Sequence, residues 1–135
     1  MRTMSPTEAA YVAGIIDGEG WIEFKRKPMK RNNRPGKPIH NVLVIRMEVP
    51  QVDGRLIDYL MTTTDEGNRD IKTYPNHPTY QDQHRCRVRH RGVYRVLKQV
   101  YKYLIVKKEK AKLVVDYYDK KFSKKVFGKG GFGVK

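Results

Sequence analysis

The chain has 135 residues and carries 29 lysines and arginines against 14 aspartates and glutamates, a formal charge of +15. That length fits one ordinary domain rather than two, and 39% apolar residues suffice for a core, which excludes a disordered chain. A lone cysteine, Cys86, excludes an internal disulfide, no apolar run reaches a membrane span, and the first residues lack the pattern of a signal peptide.

Ser5-Pro6-Thr7-Glu8 opens a helix: Ser5 caps it, Pro6 fits the first turn where no N–H is needed, and Glu8 completes a capping box. The helix runs through Ile15-Ile16 and is expected to stop at Asp17-Gly18. Trp21–Lys27 reads as a strand with Ile22 and Phe24 on one face and Glu23, Lys25 and Lys27 on the other, whereas 27–40 reads as a basic loop. Asn41–Val49 is a second strand, with Leu43, Ile45, Met47 and Val49 opposite Arg46 and Glu48. Helical spacing follows over 52–61, although Gly54 weakens it. Two more strands are expected over 69–74 and 82–91, then helices on the Val93/Val96/Leu97/Val100 and Ala111/Val114/Val115/Tyr118 stripes. The order α-β-β-α-β-β-α-α implies an α+β domain, an antiparallel sheet with its helices on one face. The domain is expected over 1–122, with 123–135 a basic Gly/Lys-rich tail.

A pI near 10 points to a polyanionic partner, whether DNA, RNA or an anionic membrane. No basic amphipathic helix with apolar anchors is present to favour the membrane. The strand over 82–91 decides for nucleic acid: strict alternation puts Arg85, Arg87, Arg89 and Arg91 on one face. With Glu23, Lys25, Lys27, Arg46 and Glu48, and Lys72 from the third strand, that face mixes cations for phosphates with groups able to read base edges. Lys30, Arg31 and Arg34 extend the expected DNA contact into the basic loop. His84 and His90 alternate onto the opposite face, and Trp21 is expected to be buried near the helix junction.

At the end of the first helix, Ala10, Ala13 and Gly14 are small enough for another backbone to approach closely. Glu19, expected just past the terminus beside the Gly18 carbonyl, suits a hard divalent cation.

Tyr11-Val12-Ala13-Gly14-Ile15-Ile16-Asp17-Gly18-Glu19-Gly20 closely resembles the signature of the LAGLIDADG homing endonucleases, and Tyr103–Ala111 resembles their link into the last helix. The resemblance implies a homodimer packed through the motif helix (Ala10, Ala13, Gly14 and Asp17), with the sheets forming a saddle on double-stranded DNA. It implies cleavage of both strands of a long pseudo-palindromic site with Mg²⁺, which Mn²⁺ would replace. Glu19 matches the metal-binding catalytic acid, Gly18 a carbonyl ligand, and Asp17 a mainly structural carboxylate. Arg91, with Arg89 as fallback, is matched to the basic residue of the centre, and Gln51 to a glutamine between second strand and second helix. Glutamate at position 19 departs from the aspartate of the motif's name. The alternative is a non-cleaving relative, an intron-RNA maturase or a DNA-binding regulator. The expected setting is a mobile intron or similar element and a reducing intracellular compartment: cytoplasm, phage-infected cell or organelle.

Overall fold

A computed structural model describes residues 2–28 and 41–127. The elements follow as α1 (Pro6–Glu19), β1 (Trp21–Pro28), β2 (Asn41–Gln51), α2 (Gly54–Thr64), β3 (Asn68–Lys72), β4 (Gln83–Arg89), α3 (Arg91–Val100), a 3₁₀ turn (Tyr101–Tyr103) and α4 (Lys108–Phe127). This is the expected α+β order. The strands form one antiparallel sheet in the spatial order β1-β2-β4-β3.

Local chemistry explains the element ends. Ser5 Oγ accepts the Glu8 N–H at 3.2 Å while the Glu8 carboxylate accepts the Ser5 N–H at 3.0 Å, a closed capping box. Arg2 pairs with Glu8 at 3.0 Å and holds its carboxyl below the usual range. α1 runs further than expected, so Glu19 is its last residue rather than a residue beyond it, and the Gly20 N–H closes the turn on the Ile16 carbonyl. α2 starts at Gly54, capped by Asp53. Gly54 marks a close approach rather than a weak turn: a Cβ there would meet the His84 ring at 3.1 Å.

β4 stops at Arg89, because His90 takes φ 53° and turns the chain into α3. The alternation therefore ends before Arg91, which belongs to a helix. α4 continues through Phe127, so residues 123–127 of the segment expected as a tail are helical, while 128–135 lie outside the described residues.

The core lies between sheet and helices. Ile22, Met47, Val88, Val49 and Cys86 form its floor, against Val12 and Ile16 of α1, Leu60 of α2, Val93, Val96 and Leu97 of α3, and Val114 of α4. Burial pushes the Cys86 thiol up to about 11, so it behaves as a small apolar side chain.

Candidate nucleic-acid interface and the end of the first helix

Strand pairing fixes the rows of the sheet's other face. Glu23 lies beside Arg46 and Arg46 beside Arg89; Trp21, Glu48, Arg87 and Asn68 form the next row; Pro50, Arg85 and Asp70 the third; Gln83 and Lys72 the last. Among the described residues no helix covers these, and Lys25, Arg46, Arg85, Arg87, Arg89 and Lys72 share that face. Lys30, Arg31 and Arg34 lie outside the described residues.

Acidic side chains thread this cationic field. Glu23 accepts Arg46 Nε at 2.6 Å and pairs with Lys27 Nζ at 2.9 Å; Lys27, then Arg46, holds its carboxyl below the usual range. Glu48 pairs with Arg85 at 3.3 Å and Arg87 at 3.2 Å, and Asp70 pairs with both arginines from the edge strand. Glu48 is only 7% exposed. The alternation of β2 places it among the groups facing DNA, but both its oxygens are held by arginines, which leaves it a support beneath them. Trp21 is also displaced from expectation: it is 37% exposed on this face, with the Arg46 guanidinium 5.4 Å from its ring centroid.

At one end of the sheet, α1 delivers Glu19 to the last residue of β2. Gln51 Nε2 donates to Glu19 Oε1 at 3.4 Å, and Gln51 Oε1 accepts the Val52 N–H at 2.8 Å. The amide is thus oriented by the backbone of the turn into α2. Asp17 has a different task. Its carboxylate accepts the N–H groups of Ile105, Val106 and Lys107 at 2.8, 3.1 and 2.9 Å, capping the approach to α4 from outside that helix. Lys107 Nζ in turn donates to the Asp17 carbonyl at 2.7 Å. An ammonium therefore sits at the same last turn of α1 that carries Glu19.

Beside it, a groove of about 790 Å³ between α1 and α2 is lined by Tyr11, Gln51, Asp53, Arg55 and Tyr59 among others. Arg55 is gripped by Asp53 at 2.6 Å, and this guanidinium, then the Arg55 N–H, holds the Asp53 carboxyl down to about 2.

The two arginines matched to the basic residue lie elsewhere than the Glu19 end. Arg91 stacks over Phe122 of α4 at 5.7 Å, on the helical side. Its fallback, Arg89, lies opposite Arg46, whereas Gln51 lies opposite His84; at ~3.4 Å per residue that separates Arg89 from the Gln51 end by roughly 17 Å along the strand. Lys107 and Arg55 occupy the Glu19 end instead. Sequence reasoning missed both. Lys107 is far from Glu19 in sequence, and its one signal was its place in the link before the last helix.

The residues expected at the dimer face differ in exposure. Ala10 and Gly14 are exposed, and a Cβ at Gly14 would meet nothing within 4 Å. Ala13 is fully buried in the chain's own core, and the Asp17 carboxylate is committed within the chain. Small residues at helical spacing do not tell which side faces the core. Tyr11, 56% exposed and edge-on to Tyr59 at 5.3 Å, joins the open side.

The donor set at the end of α1 suits a hard cation: the exposed Glu19 carboxylate beside the Gly18 carbonyl at a helix terminus. Among the described residues, no three His, Cys, Asp or Glu side chains gather as a metal cluster.

No family model matches the chain, and no curated protein matches it in sequence. Solved structures do. The homing endonuclease I-CvuI, in complex with its target in the presence of Ca, superposes with a TM-score of 0.62 at 18% identity, over 84% of this chain and 67% of that one. The archaeal intron-encoded homing endonuclease I-Vdi141I, complexed with DNA, gives 0.60 at 15% identity over 90% and 72%. The homing endonuclease I-TnaI gives 0.59 at 18% identity over 89% and 77%. The chain has the LAGLIDADG homing-endonuclease fold.

Proposed function

We propose that this chain is one half of a homodimeric, Mg²⁺-dependent endonuclease that cuts a long pseudo-palindromic site in double-stranded DNA. The observation that carries the reading is the contact of the Glu19 carboxylate with the Gln51 amide at the end of α1, whose last turn also holds the Lys107 ammonium on the Asp17 carbonyl. The fold, shared with homing endonucleases solved with DNA, supports it.

Glu19 and the Gly18 carbonyl would hold the cation, Mg²⁺ or Mn²⁺. Bound there, a divalent ion supplies positive charge to a phosphodiester and acidifies a water. Gln51 holds Glu19 in one orientation. Lys107 and Arg55 set fixed cations where a phosphate gains negative charge, with no reorganisation needed during the reaction. Because each chain brings a single Glu19, both strands are cut only if a second copy supplies its own. The open Ala10/Gly14 side of α1 supports a two-fold axis there, and a pseudo-palindromic site would match it.

The test is a randomised duplex library incubated with Mg²⁺ and the wild type, Glu19→Gln or Lys107→Met, with every new end sequenced. Wild type is expected to yield ends that share one pseudo-palindrome. Glu19→Gln should bind that sequence nearly as well and not cut it. Lys107→Met should cut it on the order of 10²-fold more slowly, the loss typical of one preorganised charge. Equal loss of binding and cleavage in Glu19→Gln would overturn the role given to Glu19. An uncut library with one strongly enriched sequence would favour the non-cleaving reading, a DNA-binding regulator or an RNA maturase.

A further inference from the structure

The cations of the sheet face fall into two kinds. Arg46 and Arg87 each have Nε on a carboxylate, at 2.6 Å to Glu23 and 3.2 Å to Glu48, and Arg87 reaches Asp70 more distantly, at 3.6 Å, with one terminal nitrogen. Arg85 is held more completely: its two terminal nitrogens reach Glu48 and Asp70, and its Nε is buried without a partner. Among the described residues, no acidic side chain pairs with Lys25 or Arg89, and both are exposed.

A cation paired with a carboxylate adds little net charge to a surface, so it contributes little to sequence-independent attraction by phosphates. A guanidinium whose Nε is fixed has lost the freedom to follow a phosphate on any duplex. It keeps terminal N–H groups in a planar fork, the shape that meets guanine O6 and N7. Trp21 stiffens Arg46 further, and Glu48, almost buried, stiffens Arg87 from beneath.

Resting on the DNA reading above, we propose that Arg46 and Arg87 are the specificity-determining residues of the sheet, each reading a guanine edge. Arg85 is the positioning residue that braces Arg87 through their shared Glu48 and Asp70, and Lys25 and Arg89 grip phosphates without regard to sequence. Because Arg87 pairs with Glu48, two residues along β2 from Arg46, the two readers are diagonal neighbours. Side chains so placed are about 7–8 Å apart, about two base-pair steps of the duplex. The guanines they read should be spaced accordingly in each half-site.

The experiment selects bound duplexes from a random library in chelator, where metal-dependent cutting is off. It then measures affinity against salt for the selected duplex and for a scrambled one. Lys25→Gln and Arg89→Gln should keep the selected sequence and lower the salt slope by about 0.9 each. Arg46→Gln and Arg87→Gln should each erase the guanine preference at one position, a discrimination of about 5- to 150-fold, with much less effect on slope. Glu48→Gln guards against misfolding as an explanation. It keeps every arginine but frees Arg87, so discrimination should fall at the Arg87 position while the slope on scrambled DNA rises.

If Arg46→Gln and Arg87→Gln lower the slope with the sequence preference intact, the division of roles is wrong. It is equally wrong if Lys25→Gln or Arg89→Gln abolishes a guanine preference. A wild type that selects no duplex sequence at all would fail the DNA reading itself, and this inference with it.

Discussion

Replacing Asp17 by alanine tests the tie between the two ends of the chain. The carboxylate accepts three backbone N–H groups at 2.8–3.1 Å, all at the entry to α4. A hydrogen bond to a charged acceptor contributes ~1.5–3 kcal/mol when water cannot replace it. Asp17 is half-buried and Ile105 and Val106 are exposed, so water can reach the freed N–H groups and the sum must be discounted. The loss of a helix-capping side chain, ~0.5–2 kcal/mol, plus ~0.3–1 kcal/mol for a negative charge at a helix N-terminus, gives about 2 kcal/mol. At ~3–5 °C per kcal/mol for a chain of this size, Asp17→Ala should melt roughly 6–10 °C below wild type in a calorimetric scan. Asp17→Asn keeps one acceptor oxygen and should fall between them. Cleavage measured well below the melting point should drop further than the small unfolded fraction explains, because Lys107 loses its fixed place. An Asp17→Ala protein that melts within ~2 °C of wild type would refute the assignment of those bonds as a cap.

Two other outcomes concern the open side of α1 and the cap of α2. Gly14→Leu adds a side chain where nothing in the chain stands within 4 Å, so the monomer should fold normally while sedimentation shows loss of the dimer; a dimer of unchanged affinity would move the two-fold axis off α1. For Asp53, the folded carboxyl is held down to about 2 from an ordinary 3.8, so its contribution to stability is full above the ordinary value and is lost as pH falls through the folded one. The melting-point gap between wild type and Asp53→Asn should therefore stay constant from neutral pH down to about 5 and close between about 4 and 2. A gap that persists at the acid end would mean that Asp53 acts by shape rather than charge.

The element order was legible because each element announces itself locally: the capping box at Ser5 and Glu8, the alternation through β2, and the apolar stripes of α3 and α4. Gln51 was legible only through the family resemblance; its contact with Glu19 is seen in the fold, which brings the ends of α1 and β2 together. What escaped was long-range. The alternating pattern of residue types continues past Arg89, but His90 with its positive φ ends the strand, and nothing in the run of residues marks that break. Ala13 and Gly14 are both small, yet one is core and the other surface, a difference set by where the sheet lies. Lys107 reaches the end of α1 only through the Asp17 bonds, and Glu48 is saturated only because β4 and β3 lie in that order beside β2.

The bonds from Asp17 to the entry of α4 span 88 to 90 residues of sequence. During synthesis, α1 and the paired strands emerge before the segment that supplies Lys107. Closing so long a loop is slow relative to forming local helices and hairpins. A chain that ends before residue 105 lacks Lys107 and also Ala111, Val114 and Tyr118 of α4, which complete the core. One segment thus completes both the packing of the domain and, by the function proposed above, the charge set at the end of α1, so a closed core and the full rate of cutting would arrive together.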